Sequence, residues 1–339
     1  MRMHRIKKIA GILLCLILCA GSLEGCDTSG GTNSGPAGGK ITLRLSDSQT
    51  AGYVTIAMDN KFAKEVSDRT GGRIQIEVIP NGRLGDEKSV CEQVQYGAVD
   101  ACRVSVSILS DFNRDIGVIT LPYLFSSTGQ MFRVLDGQVG DTLLRSLEAD
   151  SRFVGLAWTD AGARSFYTTH KQVRTPDDLK ELKIRVQQSN AMMEFIDCFH
   201  ATPVQIGQND IYSALQSGIV DAAENNWSSF VDMNHEKICR YFTVDEHMRI
   251  PEMIVFSQMS WDRLSGSDQK TIRACAKDAA MWERKEWLLD EATAEKKAKA
   301  GGTVVTKISD KAAWQKAVRP MYTKHPEWLG LVRQIQAVK

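Results

Sequence analysis

Two periodicities alternate along the chain from Lys40 onward. Ile41-Thr42-Leu43-Arg44-Leu45-Ser46 switches between apolar and polar residues with period two, which predicts a half-buried strand. Tyr53–Thr70 then carries Ala57, Phe62, Ala63 and Val66 on one helical stripe, and Gly71-Gly72 stops it. Arg73–Ile79 alternates again, with Ile74, Ile76 and Val78 turned one way, before the turn Pro80-Asn81-Gly82. Asp86–Tyr96 reads as a helix ending at Gly97, and Val99–Val106 as a strand. This β-α-β-α-β run predicts an α/β fold with a mainly parallel sheet and helices on both faces. Ligands of such sheets sit beyond the carboxyl ends of the strands, here in the loops after Leu45, Ile79 and Val104.

A second α/β stretch follows. Thr175-Pro176-Asp177-Asp178 is a capped helix start, with Pro at the first helical position and acids in the first turn. Lys183–Val186 reads as a strand, Asn190–Phe199 and Ile211–Ser217 as helices, and Val220–Glu224 as a further strand. Late in the chain Ser267–Lys299 holds a helical pattern without Pro or Gly. At the helical rise its length is about 45–50 Å, more than a small domain is wide. Ala276, Ala279, Ala280, Trp282 and Trp287 keep no heptad, so the segment reads as a strut across two lobes rather than a coiled coil.

The N-terminus has a different character. Residues 1–8 are basic, and Ile9–Ala20 is an apolar run too short to span a bilayer but suited to a signal peptide. Leu23-Glu24-Gly25-Cys26 resembles a bacterial lipobox, in which the Cys26 thiol is acylated and becomes the mature N-terminus. The Gly/Ser/Thr-rich segment Asp27–Gly39 cannot offset its ordering entropy and reads as a flexible tether. Signal peptide 1–25, tether 26–39 and globular body imply a lipid-anchored protein on the extracytoplasmic face of the cytoplasmic membrane.

Composition narrows the function. The 339 residues hold 42 Lys plus Arg against 41 Asp plus Glu, and the first 25 take four of those bases and one acid, leaving net −2. No nucleic acid is expected as a partner, and an anion must be held by a local site rather than by the overall field. After Cys26 five cysteines remain (Cys91, Cys102, Cys198, Cys239, Cys275), odd in number and without a CxxC pair. They suggest neither zinc nor a disulfide framework, but small buried apolar groups. The phosphate-loop, dinucleotide, HExxH and GxSxG motifs are all missing, and the six histidines are scattered. No enzyme, metal or cofactor is therefore expected.

Specific signals cluster in the middle of the chain. They run LGDEKSVCEQVQYGAVDACRVSVS (Leu84–Ser107), LPYLF (Leu121–Phe125), GARSFYT (Gly162–Thr168) and TPDDLKELKIRVQQS (Thr175–Ser189). IYSALQSGIVDAAENNW (Ile211–Trp227) and DEHMRIPE (Asp245–Glu252) complete the set. In this order they resemble the extracytoplasmic solute-binding proteins of tripartite ATP-independent periplasmic (TRAP) transporters, over about Ile41 to Lys324. The Glu-Asn-Asn-Trp and Asp-Glu-His runs look most like the branch that binds sugar acids, uronates and aldonates.

That resemblance implies a two-lobed clamp with the ligand cleft between lobes and a long helix spanning both. Residues 40–160 plus 251–289 would form lobe I, and 161–250 plus 290–339 lobe II. Arg185 matches the family's carboxylate-binding Arg, whose planar fork suits two parallel charge-assisted hydrogen bonds. Arg164 matches the other substrate-side Arg, Asn225 an amide for sugar hydroxyls, and Glu87 an acid at the hydroxyl end; Glu87 equally suits the first turn of a helix. Gln188, Ser105 and Arg103 border the strand ends, and Arg103 equally suits pairing with Glu87. Trp227 offers a ring face or core packing, Asp47 is a loop-end candidate, and His247 sits at the interlobe crossing in a hinge or water-network role. His200 and Gln205 depart from the family's Gly and Pro.

The expected mechanism is hinge closure on the ligand, with crossings near Gly155–Gly162 and Arg249–Pro251, followed by delivery to a permease of small and large membrane subunits. Other readings are a dicarboxylate or other organic-acid binder of the same family, an enzyme acting on sugar acids, and a sensor lipoprotein.

Overall fold

The computed structural model describes residues 39–339. The expected signal peptide, Cys26 and the tether up to residue 38 lie outside the described residues. Eleven strands are described: β1 (Ile41–Ser46), β2 (Ile74–Ile79), β3 (Ala101–Ser105), β4 (Phe153–Thr159), β5 (Arg164–Thr168), β6 (Lys183–Val186), β7 (Thr202–Gln205), β8 (Ala222–Asn225), β9 (Tyr241–Met248), β10 (Glu252–Ser257) and β11 (Val304–Lys307). They form a five-stranded sheet, β2-β1-β3-β10-β4, and a six-stranded sheet, β11-β9-β5-β8-β6-β7. Each sheet is the floor of one lobe.

The alternating segments fold as their patterns predict. In β1, Leu43 and Leu45 turn into the core while Thr42 and Arg44 face out. Helix Val54–Arg69 buries Ile56, Phe62 and Val66, and ends where Gly71 and Gly72 take φ of +61° and +78°, a conformation side chains resist. Helix Glu87–Gln95 begins where the Asp86 carboxylate accepts from the Ser89 amide at 2.9 Å. Thr175 and Asp178 close a capping box, but the segment they start, Pro176–Leu179, is one 3₁₀ turn.

The first sheet is mainly parallel, as the β-α-β-α-β pattern predicts: β1, β2, β3 and β4 point the same way, and β10, between β3 and β4, runs against them. The reason is the path between lobes. β4 leaves the first lobe at the edge where β3 ends, and β10 re-enters at that same edge, pairing Glu252 with both Ser105 and Thr159. The crossings are residues 160–163 and 249–251; Gly155–Thr159, expected in the first crossing, is still strand.

The long helix, Gly266–Ala300, is capped by Ser265 and runs 35 residues, about 52 Å. Ile272, Cys275, Ala276 and Ala279 join the core of the first lobe with Leu43, Phe62 and Ile74. Ala294 and Ala298 join the core of the second with Tyr167, Phe230 and Phe242. The C-terminal helices brace both lobes: Trp314 packs on Phe166 and Phe199, whereas Trp328 Nε1 donates to the Arg114 carbonyl at 3.1 Å.

Candidate functional site

The lobes meet through loops and short helices at the facing edges of the two sheets. Tyr53 Oη lies 2.8 Å from Ser229 Oγ, Ser107 Oγ donates to Gln187 Oε1 at 2.6 Å, and Asn209 Nδ2 donates to the Asn81 carbonyl at 3.3 Å. Gln188 makes a longer contact, 3.4 Å, with Asp86. The lobes are therefore closed, and the groups between them are removed from water.

On the second lobe, β6 carries Arg185 to this interface. Its side chain is 2% exposed, Nε donates to the Ile206 carbonyl at 2.9 Å, and Nη1 has no partner. Burial, with a further push from Arg164, brings the guanidinium down to about 10, so it remains charged at neutral pH. A buried cation with an unused N–H is costly unless an anion meets it.

Arg164, on the neighbouring β5, is committed differently. Nε and Nη2 clasp the Glu224 carboxylate at 2.6 and 2.9 Å, and Nη1 donates to Asn225 Oδ1 at 3.1 Å. Glu224 also meets His247 Nε2 at 3.3 Å, and His247 Nδ1 reaches Asp245 at 2.9 Å. Burial pushes Glu224 up, but Arg164 and His247 outweigh it and hold the carboxyl at about 2. Burial likewise opposes the His247 charge, and Asp245 and Glu224 together outweigh it, raising that group. Arg164 is thus a braced member of an ion network that fixes Asn225, and its free reach toward a ligand is less than the sequence suggests. His247 sits within the same network, fully buried just before the crossing 249–251.

The first lobe presents a hub of its own. Arg103, on β3, pairs with Asp47 through Nε at 3.0 Å and through Nη2, and with Glu87 Oε1 at 2.8 Å. Glu252 Oε2 lies 3.0 Å from Nη1 as an ion pair, but receives no aligned hydrogen bond. Asp47 further accepts from the Gln49 amide and Thr55 Oγ1. One cation thus serves three carboxylates, and Asp59 lies fully buried near Asp47. Burial and then the Asp47 charge push Asp59 well above the usual carboxylate range. Burial likewise raises Glu87, against the pull of Arg103, and lifts Glu252 to about 7. Ser105 Oγ hydrogen-bonds Ser107 Oγ at 3.0 Å, which in turn reaches across to Gln187.

The structure therefore brings together Arg185, Arg164, Asn225, Glu87, Arg103, Ser105 and Asp47, with Gln188 and His247 at the margins. Of the two readings of Trp227, the structure favours packing: its ring stacks on Phe242 at 3.6 Å between centroids, which spends that face on the core. Residue 200 explains one departure from the family. His200 has φ +55°, the left-handed turn before β7 that favours Gly, and its carbonyl accepts from the Glu181 amide. Gln205 ends β7, paired with Val186.

Sequence reasoning missed Glu252, Asp59, Ser107 and Gln187. Glu252 was hidden by the loop rule, which looks beyond the carboxyl ends of strands. β10 runs antiparallel, so its amino end faces the cleft. A surface concavity of about 790 Å³ lies elsewhere, between Thr175–Lys180, Glu194–His200 and Ala313–Lys324. Its lysines, Lys180, Lys316 and Lys324, are exposed, and two of them are paired, Lys324 with Glu194 and Lys180 with Asp177, so it offers an anion no buried cation. Among the described residues, no group of three or more His, Cys, Asp or Glu is placed to hold a metal ion, and no helix is long and apolar enough to cross a membrane.

Comparison with known proteins identifies the family and the fold. Residues 46–327 match the family model described as bacterial extracellular solute-binding protein, family 7, DctP. A solute-binding protein of Chromohalobacter salexigens is 34% identical over 281 residues, covering 81% of this chain and 83% of the relative. The TRAP periplasmic solute-binding protein of Xanthobacter autotrophicus, solved with β-D-galacturonate, superposes with a TM-score of 0.85 at 34% identity, covering 88% of this chain and 100% of that one. The Roseobacter denitrificans protein, solved with β-D-glucuronate, gives 0.85 at 31% identity with the same coverage.

Proposed function

The chain belongs to family 7 of the bacterial extracellular solute-binding proteins, the DctP proteins of TRAP transporters, and from that premise we propose that it captures a hexuronate between its lobes. It is a binding protein of a transporter, not an enzyme. Glucuronate and galacturonate are the cargoes favoured, because structural neighbours at 31–34% identity hold them.

The observation that carries the reading is Arg185, a buried guanidinium whose Nη1 is unpartnered. A carboxylate there accepts charge-assisted hydrogen bonds in a water-poor site, where they are stronger than at a surface. Asn225 and Glu87 offer polar contacts to the sugar hydroxyls. Residues 40–160 with 251–289 act as one lobe and 161–250 with most of 290–339 as the other, hinged at 160–163 and 249–251, while the segment from Glu327 onward lies against the first lobe. The cargo favours the closed form only through its higher affinity for it. The loaded protein docks on a permease of two membrane subunits, which opens the lobes, and Cys26 carries the lipid that holds it at the extracytoplasmic face.

A thermal-shift screen tests the cargo. At a hundredfold excess over Kd, a ligand of the folded chain stabilises it by about 2.7 kcal/mol. Glucuronate or galacturonate is expected to raise Tm and to be recovered unchanged by mass spectrometry. A shift with succinate and none with either uronate refutes the uronate reading.

A further inference from the structure

Two buried atoms at the lobe interface stand without aligned hydrogen bonds and have opposite demands. Arg185 Nη1 is a donor with no acceptor, and Glu252 Oε2 is an acceptor with no aligned donor. They lie on opposite lobes, on β6 and at the first residue of β10. Glu87 connects their surroundings: it pairs with Arg103 and lies within electrostatic reach of Arg185. Glu252 is likewise within reach of Arg164.

Around Glu252 the balance of charge is one-sided. Arg103, 1% exposed, is the cation shared by Asp47, Glu87 and Glu252. The far wall is cationic where Arg185 stands. A ligand with one carboxylate and a chain of hydroxyls complements both ends: its carboxylate meets Arg185, and a remote O–H donates to Glu252 Oε2. A ligand with a carboxylate at each end brings a second negative charge to a hub that already holds more carboxylates than guanidinium groups can serve.

We infer that Glu252 is a specificity-determining residue, accepting from a hydroxyl at the end of the cargo remote from Arg185 and excluding acids that carry a second carboxylate there. The inference rests on the uronate reading above and adds to it the rejection of sugar diacids. Like charges juxtaposed in a buried site cost several kcal/mol, so the chain prefers a uronate over the corresponding diacid by about a hundredfold or more. A glutamine at 252 keeps an accepting oxygen and removes the charge.

The test is titration calorimetry with galacturonate and galactarate on the unaltered chain and on Glu252→Gln. It is run at pH 8, above the value of about 7 to which burial lifts Glu252. The two ligands differ in shape as well as charge, but that difference is common to both proteins and cancels in the ratio of ratios. The expected result is a strong preference for galacturonate that Glu252→Gln narrows by about tenfold or more, chiefly by admitting galactarate. An unchanged ratio, including galactarate undetected with both proteins, overturns the inference while leaving the uronate reading intact. Galactarate bound by the unaltered chain as tightly as galacturonate overturns it without any variant, so the test survives a variant that fails to fold. Absence of binding by the unaltered chain to galacturonate and glucuronate alike overturns the uronate reading, and the inference with it.

Discussion

Replacing Arg185 by methionine separates what the residue costs the empty protein from what it contributes to the loaded one. Burial lowers its guanidinium from the ordinary arginine value, by more than two units, to about 10, so the folded chain disfavours the charged form. For a base whose folded value is depressed, the penalty is fully present at every pH below the folded value and vanishes only above the unfolded one. At neutral pH it is therefore complete. Each unit corresponds to about 1.4 kcal/mol, giving about 3 kcal/mol against the folded state. Loss of the hydrogen bond to the Ile206 carbonyl returns about 1 kcal/mol, and imperfect packing of the methionine about as much again. The ligand-free Arg185→Met protein should therefore be more stable by about 1 kcal/mol, a Tm rise of about 2–4 °C. Its uronate affinity should fall about 30- to several-thousandfold, the cost of truncating one member of a desolvated charge pair. Differential scanning calorimetry without ligand and titration calorimetry with glucuronate read the two effects. Arg185→Lys keeps the charge but loses the fork and should still bind clearly less well. A variant that melts lower and binds glucuronate as before refutes the argument, because the guanidinium would then be structural.

Other expectations follow from the same geometry. Glu224→Ala leaves Arg164 and His247 buried without their shared carboxylate and should cost about 3–5 kcal/mol in urea denaturation. The Glu224 carboxyl is held at about 2, so its contribution is present above the ordinary carboxylate value and disappears only as pH falls through about 2. His247 is raised, so its contribution is full below the ordinary imidazole value and lost as pH climbs through the higher folded one; His247→Gln should flatten that part of the Tm–pH curve. Glu291, lifted to about 7 by burial while accepting from the Ser228 amide, acts in reverse, and stability declines as pH rises from the usual carboxylate range through about 7. Glu291→Gln should reduce that slope in a pH series of thermal melts. At the first crossing Gly162 has φ +63°, and an added Cβ would meet Trp287 and Glu291 at 3.0–3.1 Å. Gly162→Ala should cost about 1–3 kcal/mol of stability in the same assay.

Much of this site is legible in the order of residues alone. Arg185 can be found because a capped turn and a short strand place it by local pattern, and its neighbours in sequence match a family. The hub around Arg103 cannot, because Asp47 lies 56 residues away and only sheet pairing brings the two together. The commitment of Arg164 to Glu224 is hidden for a related reason: β5 and β8 pair antiparallel across 60 residues. Periodicity also identifies the strands without their direction. β10 looks like any buried apolar run, and only its return from the other lobe makes it antiparallel and turns Glu252 inward. Trp227 shows the same limit at one residue, since aromatic character suits a sugar and a core equally until Phe242 covers the ring.

The long helix has a mechanical consequence. Ala276 is seated in one core and Ala298 in the other, about 33 Å apart along a single rod. Any movement of one half against the other must bend that rod or unseat one of its ends, so the two cores are mechanically coupled through a single continuous element as well as through the crossings.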